Sequence, residues 1–170
     1  MPNWCDNSLY IEAPADEIAA IKAAILKGEQ TEQGLLNYFC PEPQHEIAED
    51  EMIPAWYSWR TNNWGTKWEV DAQITGETET SLYIHFQSAW SPPIEALQCW
   101  LDRSEQHIVD LRYMEWGMMF CGIFSNEEDA HYSIPATVAE VQDMIPAELD
   151  EQFGISDMIE QWKQYKLEAS

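Results

Sequence analysis

The chain has few basic residues. Lys and Arg together number 8 in 170 residues, against 31 Asp and Glu, and the formal net charge is −23. Between Arg112 and Lys163 the sequence holds no Lys or Arg but eleven Asp and Glu. Direct binding to DNA, RNA or an anionic membrane requires cations that meet phosphates, so this composition argues against all three. It predicts attraction to basic surfaces instead.

The common motifs of metal and phosphate chemistry are also missing. No CxxC pair occurs, the four histidines are scattered, and no glycine-rich phosphate loop is present. The isolated cysteines are Cys5, Cys40, Cys99 and Cys121. We therefore expect no metal, no cofactor and no enzymatic activity, with reduced thiols in the cytoplasm. A Cys–His hydrolase stays open as an alternative, because such a pair assembles in space rather than in sequence.

Long apolar runs are absent too. The start "MPNWCDNSLY" has neither the basic residues nor the apolar core of a signal peptide, and no stretch approaches the length of a membrane span. We expect a protein that does not enter membranes. The residues that are abundant are hydrophobic ones, at 45%, and aromatic ones, at 12%, including nine tryptophans. This apolar content predicts a globular chain with a core.

The first part of the chain shows a strand, a helix and an irregular region. Alternate residues from Cys5 to Ile11 share one face, which is typical of a half-buried strand. The stretch "ADEIAAIKAAILKG" predicts an amphipathic helix, with acids at its start and glycine at its end. The stretch "LLNYFCPEP" favours a short strand. Residues 41–61 are interpreted as an insertion with one helical turn.

The stretch "NNWGTKWEV" opens a predicted hairpin. From Thr66 to Thr75 the residues alternate with a period of two, which places Trp68 inside and Lys67 outside. The stretch "LYIHFQSAW" is the returning strand. A helix follows, with Ser91 as its N-cap. The later stretch "HIVDLRYMEWGMMFCGIF" predicts either one strand that bends at its first glycine or a second hairpin.

This order of elements predicts an α+β fold, a ferredoxin-like βαββαβ sandwich with four antiparallel strands and two helices on one face. We expect the ferredoxin-like domain to span residues 1–125, with the insertion at about 41–61. Residues 126–170 contain "PATVAEVQDMI" and "DMIEQWKQYKL" and are predicted to form an acidic helical C-terminal extension.

An open sheet of this kind suits RNA binding in other proteins, because its aromatic side chains stack on bases. Tyr10 and Tyr83 would supply such aromatics here. Four carboxylates are expected on or near the same face, and they would repel a phosphate backbone. RNA binding is rejected because of these four residues, Glu12, Glu69, Asp71 and Asp110.

Four segments together resemble the signature of the YubB-type ferredoxin-like family. They are "MPNWCDNSLYIEAP", "NNWGTKWEV", "FQSAWSPPIEAL" and "YMEWGMMFCG", within roughly residues 1–122. Members of this family are carried by phages, prophages and conjugative plasmids. The resemblance implies the sandwich fold, an origin on a mobile element and a location in the cytoplasm of a bacterial host. It carries no catalytic residues over, and it favours a structural role for the tryptophans and glycine of "NNWGTKWEV".

The leading functional hypothesis makes the acidity itself the active feature. Carboxylates three or four residues apart on a helix rise about 4.5 to 6 Å, which is comparable to the phosphate spacing of DNA. We expect a non-enzymatic DNA mimic that binds a basic host protein or ribonucleoprotein, such as a CRISPR effector or a restriction enzyme. The expected contact residues are Glu46, Glu49, Asp50, Glu51, Glu127, Glu128, Asp129, Glu140, Asp143, Glu148, Asp150 and Glu151.

Two alternatives remain. One is an enzyme or small-ligand protein with a tryptophan-lined pocket formed by Trp64, Lys67, Tyr113 and Glu115. In that case the Lys67 amine has a pKa lowered by its aromatic surroundings. The other is a structural module that forms a homodimer through its exposed sheet face.

Overall fold

The computed structural model describes residues 3–28, 31, 33–45 and 52–168. Within these ranges the fold is α+β, with one open antiparallel sheet of six strands and with seven helices. The strands are β1 (Trp4–Glu12), β2 (Gln73–Glu77), β3 (Ser81–Ala89), β4 (Ile108–Glu115), β5 (Phe120–Ser125) and β6 (Asp129–Ser133). The helices are α1 (Ala15–Gly28), α2 (Leu35–Phe39), α3 (Ala55–Asn63), α4 (Ile94–Leu101), α5 (Val138–Met144), α6 (Ala147–Phe153) and α7 (Ile155–Glu168).

The sheet has the strand order β2-β3-β1-β4-β5-β6, so β1 is a central strand. Leu9 pairs with Ile84 on one side and with Leu111 on the other. Every second residue of β1 from Cys5 to Ile11 is buried, as its alternation predicted. The same alternation continues in β3 and β4, and it turns one apolar face of the sheet toward the helices.

The first face of the sheet packs against α1, α2 and α4. In α1 the buried residues Ile18, Ile21 and Ile25 recur at helical spacing, which confirms the predicted amphipathic helix. In α4 the fully buried Trp100 packs into the same cluster as Leu9. This cluster is the main hydrophobic core, and in it α1, α2 and α4 pack against β1, β3 and β4.

The second face is covered on one half only. There α5, α6 and α7 bury Val141, Leu149 and Ile159 against Met114 and Ile123 of the sheet. On the half formed by β1, β2 and β3, the side chains of this face are half-buried or exposed. They include Ser8, Tyr10, Gln73, Tyr83, His85 and Gln87. The C-terminal helices therefore share a core with the sheet and leave half of one face open.

The strand predicted from Thr66 to Thr75 is wrong in its first part. The ladder of β2 begins only at Gln73, and Trp68 is 36% exposed instead of buried. The segment before β2 is held by a side-chain hydrogen bond instead of by strand pairing. The Thr66 hydroxyl donates to the Ala89 carbonyl at 2.8 Å. Gly65, at φ 79°, turns the chain just before it. Thr66, Val70 and Ala72 are therefore buried, as their alternation suggested, but they are not paired in a strand.

The strand predicted for "LLNYFCPEP" is also wrong, because Leu35–Phe39 is a helix. The Glu69 carboxylate accepts the backbone N–H groups of Gly34, Leu36 and Asn37 at 3.1, 2.8 and 2.9 Å. These are the N–H groups that a helix start leaves unpaired. In the predicted insertion, the single helical turn is instead the nine-residue α3.

Of the two predicted arrangements at the first glycine of "WGMMFCG", a bent strand or a hairpin, the structure has the hairpin. β4 ends at Glu115 and β5 begins at Phe120, and the Glu115 carboxylate accepts the N–H groups of Gly117, at 2.9 Å, and Met118. β6 was not predicted, and with it the sheet continues past residue 125. Its residues "DAHYS" lack an apolar alternation because β6 is an edge strand with partly exposed side chains.

Candidate functional site

Most of the predicted acidic contact residues lie on the surface of the C-terminal region. Glu127 and Glu128 are in the β5–β6 turn, and Asp129 begins β6. The others are on α5 and α6. The exposed members of this set are Glu127, Glu128, Asp129, Glu140, Asp143, Glu148 and Glu151, whereas Asp150 is half-buried.

Three of these carboxylates take part in the fold. The Glu140 carboxylate accepts the Thr137 hydroxyl at 2.6 Å, and Thr137 caps the start of α5 by accepting the Glu140 N–H. The Glu148 carboxylate lies 3.3 Å from the Arg112 guanidinium. Asp150 accepts the Ser156 N–H at 2.7 Å and the Ser156 hydroxyl at 2.6 Å, at the first turn of α7. Exchanging these three residues therefore disturbs local structure as well as charge.

Glu46, Glu49, Asp50 and Glu51 lie outside the described residues. The neighbouring Glu42 is engaged inside the protein, because its carboxylate accepts the Arg60 guanidinium at 2.9 and 2.8 Å. Arg60 is buried, and its guanidinium carbon lies 5.2 and 4.8 Å from the ring centroids of Trp56 and Trp64. Glu42 thus stabilises the packing of α3.

The four residues of the alternative pocket have separate structural contacts. Trp64 is fully buried, and its indole N–H donates to the Cys40 carbonyl at 2.8 Å. Glu115 closes the β4–β5 turn as described above. The Lys67 amine lies 4.6 Å from the Trp68 ring centroid and 5.3 Å from that of Tyr57. This contact is a surface cation–aromatic interaction.

Tyr113 is the fourth of these residues, and it is buried on the first face of the sheet. Its ring lies against Gly122, where an added Cβ would come within 2.3 Å of the Tyr113 oxygen. Its hydroxyl is 3.3 Å from Nδ1 of His131, and burial raises its pKa well above the usual range. A tyrosine held in its neutral form in this way is a poor general base at neutral pH.

Three of the four resembling segments are joined by one hydrogen-bond network at an end of the sheet. The Asn7 amide donates to the Ser88 hydroxyl at 2.9 Å, and that hydroxyl donates to the Ser91 carbonyl at 2.7 Å. The Ser91 hydroxyl in turn donates to the Gly65 carbonyl. The network supports a structural role for "NNWGTKWEV", because it fixes this segment to β1 and to the end of β3.

Exposed tryptophans lie at this same end, and sequence reasoning missed them. Trp4 and Trp90 are 46% and 47% exposed, and Trp4 lies 6.2 Å from Trp68 between ring centroids. Trp90 has a φ of 74°, which is unusual for a residue other than glycine. For two of them a signal was present in the sequence, since Trp4 stands beside Asn3 and Trp90 beside Ser91 at the ends of predicted strands.

A cleft of about 510 Å³ opens beside Trp4 on the uncovered half of the sheet. We call it the Trp4 cleft, and its polar walls are Glu69, Asp71, Gln73, His85 and Gln87. Burial raises the pKa of the Glu69 carboxyl, and the backbone N–H groups that it accepts partly offset this effect. Asp71 is exposed at the rim.

Three of the four cysteines, Cys5, Cys40 and Cys121, do not have the character of nucleophiles. Burial raises the pKa of Cys40 to about 12 and that of Cys121 to about 11, and it raises the pKa of Cys5 further. These three thiols therefore stay protonated at neutral pH, whereas a thiolate is the reactive form. Among the described residues no group of three or more His, Cys, Asp and Glu is arranged to hold a metal ion.

Comparison of the chain with protein-family models, with curated proteins and with solved structures gives no match. No helix among the described residues is long and apolar enough to cross a membrane.

Proposed function

We propose that this protein is a non-enzymatic inhibitor that occupies a basic nucleic-acid-binding surface of a host defence complex. The observation that carries the proposal is the exposure of acidic side chains on helices that are firmly packed. Asp143 on α5 and Glu151 on α6 are exposed, while Val141 and Leu149 on the same two helices are fully buried. Carboxylates on such helices keep fixed spacings, as the phosphates of a duplex do.

The charge balance around these helices supports the proposal. The β5–β6 turn, α5 and α6 contain no Lys or Arg, and the nearest basic residue in the sheet, Arg112, is already paired with Glu148 and Asp110. Glu148 and Glu151 are three residues apart, which corresponds to a rise of about 4.5 Å along the helix. One DNA strand carries a phosphate about every 3.4 Å. A basic groove that binds phosphates would meet similar charges here.

We also propose the ferredoxin-like arrangement for the first four strands and membership of the YubB-type family. The strand order β2-β3-β1-β4, with α1 after β1 and α4 after β3, supports the first assignment. The four segments named above support the second. An origin on a phage or a conjugative plasmid would give an inhibitor of CRISPR effectors or restriction enzymes a selective use.

A pair of charge reversals tests the acidic surface. The double variant is Asp143→Lys, Glu151→Lys. The wild-type carboxylates of both residues are exposed and make no side-chain hydrogen bond within the described part of the chain. We expect binding to the basic partner to weaken at least tenfold at low salt, because four units of charge change at the contact. Affinity capture from host lysate, followed by titration of the retained complex, measures this effect.

The matched control is Glu79→Lys, Glu105→Lys. Both residues are exposed in turns outside the C-terminal region, and the net charge changes by the same amount. The control is expected to bind like the wild type. Equal losses in the two double variants would indicate a general charge effect and would refute the assignment to α5 and α6.

A further inference from the structure

We propose that the Trp4 cleft binds an arginine side chain of the basic partner. This inference rests on the proposed function for the nature of the partner, and it adds a second contact that is distinct from α5 and α6. The cleft lies where β1, β2 and β3 leave the sheet face open, so an extended segment of another protein has access to it.

The aromatic wall of the cleft suits a cation. Trp4 is 46% exposed, and its neighbour Trp68 already has the Lys67 amine 4.6 Å from its ring centroid. The Lys67 contact is an example, within this protein, of a cation lying on the ring next to Trp4. Because Lys67 occupies the Trp68 ring, the aromatic surface left for an incoming group is that of Trp4.

Carboxylates supply the charge that a cation needs. Asp71 lines the cleft and is exposed, and the Asp6 carboxylate accepts the amide of Gln87, another lining residue, at 2.7 Å through one oxygen. Glu69 contributes less, since its oxygens accept backbone N–H groups at the start of α2. The basic groups to set against these carboxylates are His85, which also lines the cleft, and Lys67, whose amine lies over the Trp68 ring.

Arginine fits this arrangement better than lysine or an apolar side chain. A guanidinium is planar, so it stacks on an indole while its edge N–H groups donate to a carboxylate. An ammonium is a compact, strongly hydrated charge that cannot do both at once. An apolar side chain would leave the rim carboxylates without a partner, and an anion would be repelled by them.

Titration with three short peptides, followed by NMR of the tryptophan indole N–H signals, tests the inference. The peptides are identical except for a central arginine, lysine or citrulline, and citrulline is the neutral isostere of arginine. We expect the arginine peptide to shift the Trp4 and Trp68 signals first, with Trp162 on α7 as the internal reference. The citrulline peptide should leave them unchanged. Equal shifts with citrulline, or shifts spread evenly over all nine tryptophans, would overturn the proposal.

Variants separate this inference from the proposed function. Asp71→Asn is expected to weaken the binding of the arginine peptide about fivefold, which is the usual effect of losing one partly exposed charged contact. Glu79→Gln makes the same charge change elsewhere and should have no effect. The Asp143→Lys, Glu151→Lys protein should bind the peptide normally. If that double variant no longer binds the partner protein while Asp71→Asn binds the peptide like the wild type, the arginine site in the cleft is refuted. The contact through α5 and α6 is then supported. The reverse result refutes the helices.

Discussion

Asp150 and Asp143 illustrate at the residue scale how two similar acids on neighbouring helices differ in role. Asp150 accepts two hydrogen bonds from Ser156 at the start of α7, whereas Asp143 is exposed on α5. From sequence both were equally good candidates for a partner contact, because spacing cannot reveal which carboxylate closes a turn six residues later.

Replacing Asp150 by Ala is expected to lower the free energy of unfolding by about 1 kcal/mol, since the first-turn N–H of Ser156 loses its acceptor. Asp143→Ala is expected to change it by less than about 0.5 kcal/mol, as for other exposed positions. Urea unfolding of both variants measures the difference. Equal stabilities would show that the Asp150 contact does not stabilise α7.

Cys121 gives a pH dependence with a definite sign. Its pKa is about 11 in the folded protein, against an ordinary value of 9.0, because burial disfavours the thiolate. Above pH 9 the unfolded chain releases this proton and the folded chain does not. Stability is therefore lost as the pH rises from about 9 toward 11, by up to about 1.4 kcal/mol per pH unit from this thiol.

Cys121→Ala removes that contribution. Its free energy of unfolding, measured at intervals from pH 8 to pH 11, is expected to fall less steeply than that of the wild type. The comparison cancels the titration of the tyrosines, which both proteins share. Parallel curves would mean that the thiol ionises equally in the folded and unfolded chains.

At the scale of elements, the C-terminal helices share a hydrophobic cluster with β4 and β5, so we expect them to unfold together with the sheet. Leu149 of α6 is fully buried in one cluster with Cys121 and Ile123 of β5. Leu149→Ala is expected to cost about 2 to 5 kcal/mol, the usual range for a buried leucine. Leu26 on α1 is 62% exposed, so Leu26→Ala is the control with a small expected cost.

Unfolding followed by circular dichroism and by tryptophan fluorescence checks this expectation. A single transition that shifts equally by both probes is predicted for Leu149→Ala. A separate early transition that affects only helical signal would contradict it, because the helices would then unfold without the sheet.

The elements that sequence reasoning found are those whose contacts repeat along the chain. The alternation of β1 and the spacing of Ile18, Ile21 and Ile25 in α1 are local patterns, and both were predicted correctly. The short helix α2 was missed because its N–H groups are satisfied by Glu69, more than 30 residues further along the chain. Trp68 was placed inside because alternation alone does not distinguish a paired strand from an anchored loop.

At the scale of the whole molecule, the composition gives the net charge. It does not show how many carboxylates are exposed for contact with a partner. Several acids are engaged inside the protein. Glu17, for example, accepts the Trp100 indole N–H at 2.8 Å and lies 2.8 Å from the His107 ring nitrogen. The others so engaged include Glu42, Glu69, Glu115 and Asp150. The surface proposed for partner binding is therefore smaller than the sequence suggested, and it centres on the exposed acids of α5, α6 and the β5–β6 turn.

The most direct test of the central claim is a competition between this protein and duplex DNA for the captured host complex. The complex is bound to immobilised protein at low salt, and DNA is then added at constant ionic strength. The account predicts that DNA releases the complex in proportion to its concentration and that the Asp143→Lys, Glu151→Lys protein retains little of it from the outset. A complex that stays bound under saturating DNA, and that binds this double variant equally well, would contradict occupation of a nucleic-acid-binding surface.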